Sequence, residues 1–270
     1  MFTDSHCHLS DPGLREQLPQ ILQDMAAARV DRALCICTTL EDFDNVHAIA
    51  REHEHLWATV GVHPDEEGVR EPTLQDLLDG AARPKVVGIG ETGLDYYRLG
   101  ERSLAEMEWQ RERFRTHIRA ARQTGLPLVI HTRSASNDTL DILREQGGFG
   151  GGEALAPARG VFHCFTESAE VARAALDLDF YISLSGIITF RNAAELRETA
   201  RLVPLERLLI ETDSPYLAPV PFRGKTNTPA LVPHVAAQLA DIKSVSVEAI
   251  AEATARNFER LFDRTATPAT

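Results

Sequence analysis

Short strand-like runs recur along this chain at intervals of roughly thirty residues, each followed by a stretch with apolar residues at helical spacing. This alternation constrains the fold more than anything else in the sequence. Parallel strands need long crossovers, and helices supply them. The strand-like runs cover residues 2–9, 33–38, 56–62, 86–91, 126–130, 160–163, 180–184 and 207–211. The helical stretches cover 14–30, 42–53, 73–82, 103–124, 136–146, 167–177, 192–202, 231–242 and 247–262. Eight strand–helix repeats in 270 residues predict an α/β fold, a (β/α)8 TIM barrel, as one domain over residues 1–270. The Gly- and Ala-rich stretch 147–160 lies between a helix and the next strand, away from the strand C-termini. It reads as a flexible insertion without a role.

The formal charge of −12 opposes a bulk electrostatic grip on nucleic acid, so any phosphate substrate must be held by a local cationic cluster or by metal ions. No apolar run approaches the roughly 20 residues of a membrane helix, and residues 1–9 lack the basic and apolar regions of a signal peptide. Cys7, Cys35, Cys37 and Cys164 form no Cys-x-x-Cys pair and sit in strand-like runs, which fits structural thiols in a reducing cytoplasm. A cytoplasmic protein without membrane attachment or an obligate protein partner is expected.

In a barrel, function gathers at the C-terminal ends of the strands. Here those ends carry His6 and His8, His63, Glu91, His131, His163 and Asp213. His6 and His8 share a strand face, so their imidazoles can converge on one ion. An apolar strand has little reason to end repeatedly in an ionisable group, because an unpaired buried one is costly. Together they suggest a metal site, where imidazole suits zinc and carboxylate extends the range to magnesium and manganese.

The runs Asp4-Ser5-His6-Cys7-His8, Gly61-Val62-His63-Pro64, Gly90-Glu91-Thr92-Gly93-Leu94-Asp95-Tyr96 and Ile130-His131-Thr132-Arg133 carry a resemblance. So do His163-Cys164-Phe165, Glu211-Thr212-Asp213-Ser214-Pro215-Tyr216, Arg223-Gly224-Lys225-Thr226-Asn227 and Asn257-Phe258. In this order they resemble the TatD family of metal-dependent hydrolases, within the amidohydrolase-like barrels. Thr228 departs from the pattern, standing where relatives often carry an acidic residue. The resemblance implies a metal-dependent deoxyribonuclease, typically degrading DNA from a 3′ end. It also implies two divalent ions: His6, His8, Glu91 and Asp213 on one, and Glu91, His131 and His163 on the other.

Phosphodiester hydrolysis needs an activated water and neutralisation of developing charge, and two ions bridged by a carboxylate supply both. Glu91 is the candidate bridge, and Asp213 is placed to accept a proton from, or orient, the water. Glu211 either orients Asp213 or the water, or is a buried structural carboxylate. His63 either contacts the scissile phosphate or leaving oxygen, or is a turn residue before Pro64. Arg98, Arg133, Arg223 and Lys225 fall on strand-to-helix loops and can hold flanking phosphates. Tyr96, Tyr97, Phe165, Tyr216 and Phe222 offer stacking surfaces, although Tyr97 and Phe222 read rather as rim packing. A single-stranded or frayed DNA end suits such a mouth. A hydrolase of another ester or amide, such as an aminoacyl-tRNA deacylase or small-molecule amidohydrolase, uses the same metals on a carbonyl. A metal-binding scaffold without turnover is the third reading, weakened by the intact ligand set.

Overall fold

The computed structural model describes residues 1–100, 102–151 and 154–265. The chain runs β1 (Phe2–Cys7), α1 (Pro12–Arg15), α2 (Leu18–Ala27), β2 (Val30–Cys35), α3 (Phe43–Glu52), β3 (Leu56–Val60), α4 (Leu74–Ala81) and β4 (Val86–Asp95). It continues through α5 (Glu108–Thr124), β5 (Leu128–Arg133), α6 (Ser136–Gln146), β6 (Gly160–Phe162), α7 (Ala169–Asp177) and β7 (Tyr181–Leu184). Last come α8 (Ala194–Leu202), β8 (Leu208–Ile210), α9 (Val232–Lys243) and α10 (Val247–Leu261). The strands pair in parallel in sequence order, β1 to β8, giving the (β/α)8 barrel.

Several boundaries differ from those expected. The first helical stretch breaks into α1 and α2 at Gln17, because Pro19 lacks an N–H and suits only the first turn of a new helix. Ser103 and Glu106 form a capping box on a 3₁₀ turn that precedes α5. The second strand is Val30–Cys35, earlier than the apolar run suggested. Most consequential is β4, which continues past Glu91 to Asp95 by pairing Thr92 to Asp95 with Ile130 to Arg133 of β5. In the 147–160 stretch, residues 152 and 153 lie outside those described. Its flanks are tied down by the Ala158 N–H donating to the Gly147 carbonyl at 2.7 Å and by Phe149 meeting Phe180 edge to face at 6.4 Å.

The apolar core has two parts. The larger lies between sheet and helices. The smaller draws one or two side chains from each of β2 to β8 and their ends, among them Trp57, Val129 and Leu209, and adds Phe258, Leu261 and Phe262. This second cluster fills the barrel lumen, and α10 with the residue after it seals the end opposite the site. Asn257 fixes α10 there, donating to the carbonyls of Leu205 and Leu208 at 2.9 and 2.8 Å.

The ring closes at a seam between β1 and β8 unlike the other joints. The ladder of parallel pairs is absent there among the described residues, apart from an isolated bridge between Cys7 and Ser214. Side chains of β1 do much of the joining. The buried Asp4 carboxylate accepts the Thr212 N–H at 2.9 Å, the Thr212 hydroxyl at 2.5 Å and the His6 N–H at 3.2 Å. The Ser5 hydroxyl donates to the Ile210 carbonyl at 3.0 Å. Backbone bonds from Asp213 to His6 and from His8 to Ser214 complete the joint.

Burial pushes the Asp4 carboxyl up to about 8, despite the Thr212 and His6 donors that favour its charge. A carboxyl protonated in the folded chain but ionised in the unfolded one loses stability as pH rises between the ordinary value, 3.8, and about 8. Asp4→Asn keeps the shape and removes the ionisation. Its stability advantage over the parent should therefore grow by roughly a few kcal/mol between pH 5 and pH 8. Denaturant unfolding of both proteins after chelation measures this, and a pH-independent difference would refute the assignment.

Candidate metal centre

Glu91 lies at the centre of the barrel mouth, almost fully buried, and each of its oxygens faces a different set of imidazoles. Oε2 lies 3.4 Å from His6 Nε2 and 3.9 Å from His8 Nε2. Oε1 lies 2.8 Å from His163 Nε2, 3.3 Å from His63 Nε2 and 3.4 Å from His131 Nδ1. Asp213 Oδ1 closes the first set, 3.3 Å from His8 and 3.6 Å from His6. Six strands and the turns that end them deliver these groups, so that His8 and Asp213, 205 residues apart in sequence, come to contact distance. All six residues expected as metal ligands thus meet in one place, joined by His63.

The donor atoms suit divalent cations. The second nitrogen of His131, Nε2, bonds the Asp95 carboxylate at 2.9 Å, which leaves Nδ1 with its lone pair toward Glu91. The second nitrogen of His163, Nδ1, bonds Glu211 at 3.2 Å, and its buried Nε2 lies 2.8 Å from Glu91 Oε1 without the alignment of a hydrogen bond. Carboxylates behind imidazoles are what orient histidines on a metal and raise their basicity. His6 and His8 bring their Nε2 atoms within 3.2 Å of each other beside two carboxylates, a geometry satisfied by a shared cation or proton. Three overlapping triads have ligand atoms within 4.8 Å of one another: His6, His8 and Asp213; His6, Glu91 and His163; and His63, Glu91 and His131.

His63 differs from the others. Its Nδ1 accepts the Asp65 N–H at 3.0 Å, so the neutral ring carries its proton on Nε2 and faces Glu91 as a donor. Helix α5 fixes this arrangement from behind. The buried Arg113 guanidinium donates to the His63 and Glu66 carbonyls at 2.6 and 2.9 Å and pairs with Glu71. One turn on, His117 accepts the Val62 N–H at 3.0 Å and bonds the Arg113 carbonyl at 2.8 Å. Burial lowers His117 to about 4, so it stays neutral and able to accept.

Electrostatics follow from packing these charges out of water. Burial alone would raise the Glu91 carboxyl, but His163, His63 and His6 outweigh it and hold the group well below the carboxylate range. Burial likewise opposes the imidazolium of His163, yet Glu91 and Glu211 push that ring well above its ordinary value. His8 and His131 are raised against burial by Asp213 and by Asp95 respectively, whereas His6 is lowered by burial and by His163. Divalent cations must displace protons from the raised rings.

The mouth is an open cavity of about 1280 Å³. Of the cations expected around it, Arg98 and Arg133 line the cavity; Arg98 pairs with Asp65 at 3.0 Å and Arg133 lies 3.5 Å over the Tyr97 ring. Arg223 and Lys225 are exposed on the long β8–α9 loop, over Phe190 and Phe222 respectively. Tyr96, expected at the substrate, is buried at 7% exposure, and its hydroxyl donates to Asp138 at 2.7 Å and accepts from Arg111 at 3.1 Å. Its neighbour Tyr97, expected to be rim packing, is 61% exposed. Phe165 is buried. Glu211 is buried one layer deeper, bonding His163 and, at 2.7 Å, the Cys164 N–H; among the described residues it makes no hydrogen bond to Asp213.

A shared Glu91 implies a ranking of metal affinities. Asp95→Asn, which acts on the ligand set through the far side of His131, should weaken divalent-metal binding by about 10–100-fold. Glu91→Gln should weaken it more, with the thermal unfolding midpoint of the chelated protein little changed. Competition against a chromogenic chelator measures both. Parental affinity in Glu91→Gln would exclude the carboxylate from the ligand set.

Comparison with known proteins agrees with this centre. The family model of TatD-related DNases matches residues 3–263. YcfH of Escherichia coli K12, described as an uncharacterized metal-dependent hydrolase, is 46% identical over 263 residues, covering 96% of this chain and 94% of its own. YabD of Bacillus subtilis, described in the same terms, is 38% identical over 263 residues, covering 97% and 99%. Among solved structures, the TatD homologue YjjV of Escherichia coli superposes with a TM-score of 0.87 at 29% identity, over 97% of this chain and 98% of its own. The extent of these matches, running from β1 past α10 and so through every strand that feeds the mouth, means that the chain belongs to the TatD family of metal-dependent hydrolases.

Proposed function

We propose that this hydrolase is a deoxyribonuclease that removes nucleotides from single-stranded or frayed DNA ends, in the 3′-to-5′ direction, with two divalent ions of magnesium, manganese or zinc. The observation that carries the reading is Glu91, whose two oxygens face two separate imidazole sets across one carboxylate. Bound divalent ions would supply acidification of water and charge neutralisation at the phosphoryl oxygens. His6, His8 and Asp213 would hold one, and His131 and His163 the other, with Glu91 between. Asp213, partly open to the cavity, takes the proton of the attacking water. His63 carries its proton on Nε2 and donates it toward the phosphate or the leaving oxygen. Arg133 offers a local positive charge at the rim of an otherwise acidic protein. An open cavity lined largely by ionisable and hydroxyl side chains suits a polymer end better than it suits a small amide, which favours this reading over a small-molecule amidohydrolase.

Asp213→Asn tests the assignment of the base. The amide keeps the volume but accepts no proton, so kcat on a 5′-labelled single-stranded oligonucleotide should fall by about 10²–10⁴-fold with KM little changed. Chelation should abolish activity in the parent, and added magnesium, manganese or zinc should restore it. A variant within a few-fold of the parent rate would remove Asp213 from proton transfer. A metal-loaded parent inert toward every DNA, yet active on esters or amides, would replace the nuclease reading.

A further inference from the structure

We propose that Tyr97 and Tyr216 are two nucleobase-stacking platforms on opposite rims of the mouth, selecting a strand whose bases are unpaired on both sides of the reacting phosphodiester. The proposal deepens the nuclease reading and rests on it. Tyr97 follows β4 and Tyr216 follows β8, and strands four apart in a ring of eight face each other across the lumen. Both rings stand in solvent, 61% and 60% exposed, although the remaining tyrosines, Tyr96 and Tyr181, are each 7% exposed. Neither hydroxyl has a hydrogen-bond partner in the protein among the described residues, so no hydrogen bond within the fold claims either side chain.

Their backbones, by contrast, are held tightly to the metal centre. The Tyr97 N–H donates to Asp95 Oδ1 at 2.8 Å, and the other oxygen of the same carboxylate holds His131. The Tyr216 N–H donates to the Asp213 carbonyl at 3.0 Å, its own carbonyl accepts from Asn227 at 2.6 Å, and its ring centroid lies 6.4 Å from that of His8. Each platform is thus fixed relative to one side of the site. The Arg133 guanidinium covers one face of Tyr97 at 3.5 Å, which orients the ring and leaves its other face to a ligand. A phosphodiester reacting between the two rims carries a nucleoside on either side, and base–aromatic stacking tolerates any sequence. Paired bases are already stacked within a duplex and cannot lie against both rings.

The test compares metal-loaded parent, Tyr97→Ala, Tyr216→Ala and the double variant on two single-stranded oligonucleotides. One is intact, and the other has abasic sugars on both sides of the terminal phosphodiester. The parent should process the intact strand with kcat/KM at least about tenfold higher than the abasic strand, in keeping with the strength of base–aromatic stacking. Each single variant should shrink that preference, the double variant should bring it to within about twofold, and Tyr→Trp at both positions should restore it. Metal content and thermal unfolding report whether the variants remain folded. Equal use of the two strands by the parent, or a full preference in the double variant, would overturn the stacking role while leaving the nuclease reading intact. A parent that cleaves neither strand would remove the nuclease reading and this proposal together.

Discussion

A carboxylate withdrawn from water is tolerable only among partners, and Glu91 is surrounded by imidazoles at 2.8 to 3.9 Å. Much of the barrel mouth can be understood as the means of keeping those partners in place. Apart from His6 and His8, which share β1 and its end, the rings come from different strands, so no local segment could assemble them. They stand together because the sheet closes on itself and because alternate residues of each strand face one side. The carboxylate sits where strands approach closely: a Cβ on Gly61 would meet the Gly90 backbone at 2.5 Å, and one on Gly93 would meet the His131 carbonyl at 2.0 Å. At Gly93 the backbone also has φ of 125°, open to glycine and little else.

Behind the ring of imidazoles lies a layer of groups that never face the cavity centre directly. Asp95 and Glu211 set the tautomers of His131 and His163, and Arg113 with His117 set the backbone on either side of His63. Each support comes from an element different from that of the ring it orients, as where β4 reaches across to β5. The result is a rigid constellation with little rearrangement left for the moment of reaction, which is what preorganised catalysis requires.

The eightfold alternation made the barrel legible, because a helix period and an apolar strand run are separable by eye. The mouth residues were legible because ionisable groups at the ends of apolar strands are conspicuous. The supporting layer was not. Asp95 lay within a recognised motif, yet its role depends on β4 extending four residues past Glu91, which only the pairing with β5 reveals. Arg113 and His117 read as part of an amphipathic helix, and only tertiary packing turns them toward β3. Tyr96 and Tyr97 exchanged places between buried and exposed, since a step of one residue at a strand end reverses the direction of a side chain. Arg98 looked like a free cation, but Asp65 is thirty-three residues away in the sequence and 3.0 Å away in space.

The seam between β1 and β8 gives a bound ion a mechanical part to play. Its would-be holders stand on both sides of the joint, His6 and His8 with β1 and Asp213 just after β8, where ladder hydrogen bonds are sparse. An ion gripped by all three would act as a cross-link closing a loop of 205 residues, nearly the whole circumference of the molecule. A clip across so long a loop strongly limits the freedom of the unfolded chain. It would also slow opening of the two outermost strands, the point from which such a ring is easiest to unzip. Cation occupancy would then decide whether the barrel behaves as a continuous hoop or as a sheet with two ends.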